Sequence, residues 1–345
     1  MTIFFNSFFS EDSSTTDSPL SKRINSYDFL SKFLAQHYTD ITSPPNTEDI
    51  VAKLRLAMTS FDNERLAFLI CHTGYIPEMY PADSSLETIY TKLIETIVVE
   101  WAIRIGFTES SLPTQKSSKE DVTIDDSQNI IVCDAKSFRL GRSQAAPNVK
   151  DVLKHADISK WLSSYTNKCQ LGGLVTFPSQ HDWKKGSDFY QYTTDHQLPT
   201  ICLNYEHMSF FLLCGYTYAH LINIYKRYQE LFPFVIDKAK SNRDVYYKII
   251  EHALFGENLS SWIIFKNESR NIVSEFVYHS KNNLSKSIFE IKNDITNKYM
   301  QETDIEKLRK LAIENETLRL TEDLKKQLDR IDKFRTPSDD YLWNH

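Results

Sequence analysis

The decisive pattern in this chain is a change of period in its middle. On either side, apolar residues recur every three or four positions, the spacing of helices. Between residues 121 and 206 stand four short β-rich runs instead: "DVTI" (121–124), "NIIVCDAKSF" (129–138), "CQLGGLVTF" (169–177) and "TICLNYE" (200–206). The turn-like "DDSQ" joins the first two, which read as a hairpin. The "IIVC" of the second run is continuously apolar, as expected of a strand covered on both faces. Between the second and third runs, "APNVKDVLKHADISKWLSSY" (146–165) is predicted to be one helix, with Pro147 and Asn148 as start signals. The chain is therefore predicted to be α/β, a mixed β-sheet flanked by helices, with helical extensions at both ends.

Upstream, "YDFLSKFLAQHY" (27–38) and one or two helices over 48–70 lie among polar, proline-punctuated stretches at 11–20 and 40–49. "LETIYTKLIETIVVEWAIRIGF" (86–107) reads as one long apolar helix. From 284 to 335, Ile288, Ile291, Ile295, Tyr299, Leu324, Leu328 and Ile331 keep helical steps amid dense charge. Two readings are open there, a packed helix pair or an element for dimerisation or for gripping a ligand. The expected division is a helical N-terminal extension (1–70), a core (71–230) and a helical C-terminal region (231–345).

Several classes are disfavoured. The eight glycines form no GxxxxGK loop and no GxGxxG, so no nucleotide cofactor is expected. Cys71, Cys133, Cys169, Cys202 and Cys214 are odd in number and scattered, as expected of reduced thiols in a cytoplasmic protein. The N-terminus lacks the pattern of a signal peptide, and the most apolar later stretch, 209–222, is too short and too polar to span a bilayer, so no membrane association is expected.

The end of the second β run carries the chemistry. In a strand, residues two apart share a face, about 6.5–7 Å apart. Asp134 and Lys136 therefore project together, with Ala135 and Cys133 turned away. If the bend lies near "DDSQ", Asp121 falls opposite Asp134, and two carboxylates and an ammonium converge. Two carboxylates beside the backbone carbonyl of Ala135 suit Mg²⁺, a hard ion that keeps several waters. A lysine beside them can orient a water, and metal-assisted hydrolysis of a phosphate ester follows. The spacing alone also fits an ion pair at a strand end, worth less than ~1 kcal/mol. The net charge of −6 gives no global argument for nucleic acid. From Lys136 to Lys168, however, Lys136, Arg139, Arg142, Lys150, Lys154, Lys160 and Lys168 face only Asp151 and Asp157, a local basic stretch suited to a phosphate backbone.

"DAKSFRLGRS" (134–143), the preceding "EDV", the following "NVKD" (148–151), "YEHMSFFL" (205–212) and "GYIPEMYPADSSLETIYTKLIE" resemble the HindIII-like type II restriction endonucleases of the PD-(D/E)XK nuclease superfamily. The resemblance covers roughly residues 70–215. It implies a restriction-endonuclease-like core and Mg²⁺-dependent cleavage of double-stranded DNA by a homodimer. Asp121 and Asp134 would be the metal carboxylates and Lys136 the water-orienting lysine, with Glu95 on the preceding helix holding a metal-bound water or making a salt bridge. Asn148, Lys150 and Asp151 match the base-reading segment, where amide, ammonium and carboxylate suit adenine, guanine and cytosine edges. Arg139, Arg142 and Lys154 are expected on the DNA, the arginines on phosphates. The stretch between Arg142 and Lys150 is longer than the family's and lacks its lysine before the asparagine, so the recognised palindrome is open. A structure-specific repair nuclease, a non-catalytic DNA-binding protein on the same fold, and a purely helical interaction protein are the competing readings.

Overall fold

The structure, a computed structural model, describes residues 4–10, 18–41, 43–113, 119–141, 148–194, 197–234, 237, 240–300 and 305–332. The chain opens with five helices: α1 (Asn6–Phe9), α2 (Pro19–Tyr27), α3 (Phe29–His37), α4 (Thr47–Met58) and α5 (Asn63–Thr73). Their starts follow local chemistry. Pro19 takes the first position of α2, and Ser18, Asn46 and Asp62 each accept a backbone N–H as N-cap. The helix expected at 27–38 is divided at Asp28, and α2 begins inside the stretch read as a loop.

A two-residue strand, β1 (Tyr75–Ile76), precedes α6 (Ser85–Ile105). Helix α6 ends at Gly106, whose φ of 114° is the left-handed terminator that favours glycine. Apolar side chains are buried around much of its circumference, as in a helix enclosed by its own protein.

The sheet follows the sequence closely. Strands β2 (Val122–Asp125) and β3 (Asn129–Ala135) form an antiparallel hairpin, a short β4 (Phe138–Arg139) pairs with β1, and β5 (Cys169–Phe177) and β6 (Thr200–Asn204) add in parallel. The order β2-β3-β5-β6 makes a mixed sheet with β3 central and buried. At the edge of β5, Gly172 has a φ of 148°, and a Cβ there would stand 2.1 Å from the Pro199 carbonyl oxygen. A side chain at that position would push the β6 connection off the sheet.

The single helix expected over 146–165 is instead two, α7 (Val149–Val152) and α8 (His155–Leu162), separated by extended backbone at Leu153. The reason is angular. Val149 and Ile158, nine residues apart, would lie on opposite sides of one helix at 100° per residue. The break lets both bury, together with Leu153 and Leu162.

Beyond α9 (Phe189–Thr193) and β6, the chain is helical: α10 (Tyr205–Leu213), α11 (Tyr218–Lys226), α12 (Tyr228–Leu231), α13 (Arg243–Phe255), α14 (Leu259–Met300) and α15 (Glu306–Ile331). Helices α14 and α15 form an antiparallel hairpin, pinned by Lys281–Asp332 at one end and Lys298–Glu316 (3.7 Å) at the other. The first chain segment packs on α5 and α14, with Phe8 stacked on Phe68 at 4.0 Å and Tyr27 against Phe276. One apolar core thus runs from Phe5 to Ile331. Among the described residues, no helix is long and apolar enough to cross a membrane.

Candidate active site

The hairpin sets the site. Its register pairs Val122 with Cys133, Thr123 with Val132 and Ile124 with Ile131, which is the alignment expected from the "DDSQ" bend. The ladder continues one step past β2, where the Asp121 N–H donates to the Cys133 carbonyl (3.0 Å). Asp121 Oδ2 in turn accepts the Ala135 N–H at 3.0 Å, which holds this carboxylate across the end of β3. Asp134 is 3% exposed and its Oδ1 lies 2.6 Å from Lys136 Nζ. The Lys136 backbone is fixed at both ends, its N–H donating to the Thr176 carbonyl (2.7 Å) and its carbonyl accepting the Tyr205 hydroxyl (3.0 Å).

Glu95 reaches the same space from α6. It is buried and paired with Lys92, and its carboxyl is raised above the usual range by burial, with Lys92 opposing and Asp134 adding to the effect. Asp121 shows the crowding most clearly. Burial, then the charges of Glu95 and Asp134 and a hydrogen bond with Asp134, push its carboxyl up to about 8, with Lys136 pulling the other way. At neutral pH this cluster therefore keeps a proton at Asp121, because Lys92 is taken by Glu95 and Lys136 by Asp134 and burial disfavours a third charge.

Such a donor set fits a hard divalent cation. Asp121, Asp134 and the adjacent Ala135 carbonyl offer oxygen only, and a cation relieves the repulsion that otherwise retains the proton. Among the described residues, no group of three or more His, Cys, Asp or Glu side chains is arranged as a ligand cage. An open site of one or two carboxylates, leaving room for waters, is the arrangement Mg²⁺ prefers.

The basic stretch disperses on folding. Arg139 was expected on phosphates, but its guanidinium faces inward. It pairs with Glu78 (3.4 Å) and Glu87 and donates to the Tyr80 carbonyl (2.6 Å). Lys168 pairs with Asp125. Asn148 is exposed and caps α7, accepting the Lys150 N–H at 3.2 Å. Lys150 is exposed, with its ammonium 4.6 Å from the centre of the Tyr192 ring, and Lys154 is exposed at the start of α8. Arg142 and the Asp151 side chain lie outside the described residues. His207, expected to be structural, is fully buried, accepts the Asn204 N–H and stacks on Trp262.

Two carboxylates escaped the sequence reading. Glu120, the glutamate of the "EDV" stretch next to Asp121, is buried and accepts from the Thr123 and Tyr165 hydroxyls. Glu78 is the glutamate of the "YIPE" turn, and that motif was its signal. Its side chain accepts the Gly141 N–H (3.0 Å) and pairs with Arg139 and, across the fold, with Arg330 of α15 (3.3 Å).

A model of the HindIII restriction endonuclease family matches residues 38–259, nearly two thirds of the chain. The match takes in the hairpin, the parallel strands and every side chain of the cluster just described. Comparison with curated proteins returns no match.

Proposed function

The chain belongs to the HindIII restriction endonuclease family, and on that premise we propose that it is a type II enzyme. As a homodimer it hydrolyses one phosphodiester bond in each strand of a short palindromic site in double-stranded DNA. It needs Mg²⁺ and no nucleotide cofactor, and it leaves 5′-phosphates. The observation that carries this reading is the convergence of Asp121, Asp134 and Lys136 at the end of one hairpin, with the Asp121 carboxyl pushed up to about 8 by its neighbours. Crowding of this kind is costly in a structural ion pair and useful in a site that awaits a cation.

Asp121, Asp134 and the Ala135 carbonyl would hold the ion, which when bound supplies Lewis-acid stabilisation of the charge that develops on the phosphate. Asp134 holds the Lys136 ammonium at 2.6 Å, and Tyr205 and Thr176 fix the lysine backbone. From there Nζ orients a water by hydrogen bond toward the scissile phosphorus, in line with the departing 3′ oxygen. Glu95, within electrostatic reach of Asp121, Asp134 and Lys136, would accept from a water in the same space. Asn148, Lys150 and Lys154, exposed on the short helices past the catalytic strand, are assigned to base and backbone contacts. The helical C-terminal region is assigned to dimerisation or DNA gripping. Two-fold symmetry of the protein would match that of the palindrome.

The test is cleavage of plasmid DNA with Mg²⁺, followed by sequencing of the fragment ends. Discrete fragments sharing one palindromic end sequence support the proposal. Fragmentation without sequence preference, cutting confined to branched DNA, or intact plasmid with every divalent ion refutes it.

A further inference from the structure

A cavity of about 400 Å³ opens between the turn leaving β5, helix α13 and the start of α14. Its wall carries five cations, Lys185, Arg243, Lys248, Lys266 and Arg270. Three carboxylates oppose them. Asp244 and Glu251 stand in the wall, and Glu206 is fully buried within electrostatic reach of Arg270 and Lys266. The excess is cationic, in a chain whose net charge is −6.

The cavity is built rather than incidental. Arg243 is 4% exposed and donates to the Gln180 and Trp183 carbonyls at 3.0 and 2.6 Å, which locks the turn to α13. Lys266 is braced by Glu251 at 2.6 Å. Lys248 is exposed and makes no ion pair among the described residues. Gln180 is only 7% exposed and lines the cavity with its amide oxygen lacking a hydrogen-bond partner. A half-turn of that amide presents its NH₂ to an anion.

Its place in the fold says which anion. Gln180 follows β5 by three residues, and Tyr247, also in the wall, donates to Asn204 at the end of β6 (3.0 Å). The cavity thus hangs on the C-terminal ends of β5 and β6, the same sheet edge from which Asp134 and Lys136 leave β3. At about 4.8 Å between strands, the end of β6 stands roughly 10 Å from that of β3. Successive phosphates of one strand rise about 3.4 Å along the duplex axis, so an offset of this size stays within the stretch of backbone that flanks a bond held at Asp134 and Lys136.

We propose that this cavity receives a backbone phosphate of the bound duplex, a few nucleotides from the bond that is cut. The assignment rests on the function proposed above and extends its footprint to residues far from the DNA-contacting segment read in the sequence. A phosphate seated there adds affinity and register without reading bases.

The experiment measures binding of a 30-base-pair duplex in EDTA over a range of salt, for wild type and for Lys248→Ala, Lys185→Ala and Lys248→Arg. Lys185 and Lys248 are exposed, and unchanged urea midpoints establish that the variants fold. Each alanine should lower the slope of log K against log salt by about 0.9, the share of one lost phosphate contact, and the arginine should keep it. Wild-type slopes in the alanine variants, with wild type itself binding DNA, overturn the proposal and leave the nuclease reading standing. A cavity that responds to inorganic phosphate in thermal unfolding, while the DNA slopes stay fixed, also overturns it. A wild-type protein that does not bind duplex at all overturns both.

Discussion

Replacing Asp121 with asparagine should tilt the pH dependence of folding in a direction opposite to that of an ordinary carboxylate. In the folded protein the Asp121 carboxyl is pushed up to about 8, chiefly by burial and then by Glu95 and Asp134, against an ordinary value of 3.8. Between those two values the folded state holds a proton that the unfolded chain has released. The stability contributed by this proton is therefore full below pH 4 and is lost as pH rises toward 8. Inside the window the loss approaches about 1.4 kcal/mol per pH unit, or roughly 3 kcal/mol between pH 5 and 7. The amide of the Asp121→Asn variant keeps the shape and still accepts the Ala135 N–H, but it cannot ionise, so this dependence disappears. Urea unfolding of both proteins in EDTA at pH 5, 6 and 7 reads the difference directly. The variant should gain on wild type by roughly 3 kcal/mol across that range. A difference that stays constant with pH would mean that Asp121 is not crowded, and the case for a cation-awaiting site would fall with it.

Three further outcomes follow from named contacts. Asp134→Ala and Lys136→Ala should each lower cleavage with Mg²⁺ by at least about 10²-fold while a gel shift in EDTA still shows duplex binding. Parallel loss of both would assign the residues to the interface instead. Glu78→Ala leaves the buried Gly141 N–H without its acceptor and takes one of two carboxylates from Arg139, which keeps Glu87 and the Tyr80 carbonyl, and should cost about 1–3 kcal/mol in urea unfolding. A cost under about 1 kcal/mol would show that the clasp is idle. Leu93→Ala empties a fully buried position on α6 and should cost about 2–5 kcal/mol by the same assay, with a smaller value meaning that α6 repacks.

The hairpin was legible because its information is local. "DDSQ" places the bend, the Asn129 N–H bonds Asp126 Oδ1 across it, and the pairing then carries Asp121 to the end of β3. The parallel strands were legible as apolar runs between turn signals. What the sequence left hidden was whatever depends on distant partners. Arg139 looks like a phosphate ligand beside Lys136, yet Glu78 and Glu87, more than fifty residues upstream, claim it. Lys168 likewise meets Asp125 only through the sheet. Charge counted along a sequence cannot tell a cation facing solvent from one already neutralised. The break between α7 and α8 was missed because the pattern of 146–165 gives apolar residues but not the two surfaces they must reach.

The Glu78 side chain also sets an order of events. Its pairing with Arg330 spans 252 residues, and α15 packs so closely there that a Cβ on Gly141 would come within 2.4 Å of Arg330 Cβ. During synthesis the flank of β3 therefore stays unsealed until Arg330 has left the ribosome. The hairpin can pair early from its own turn, but its downstream edge waits for a helix whose Arg330 is made 252 residues after Glu78.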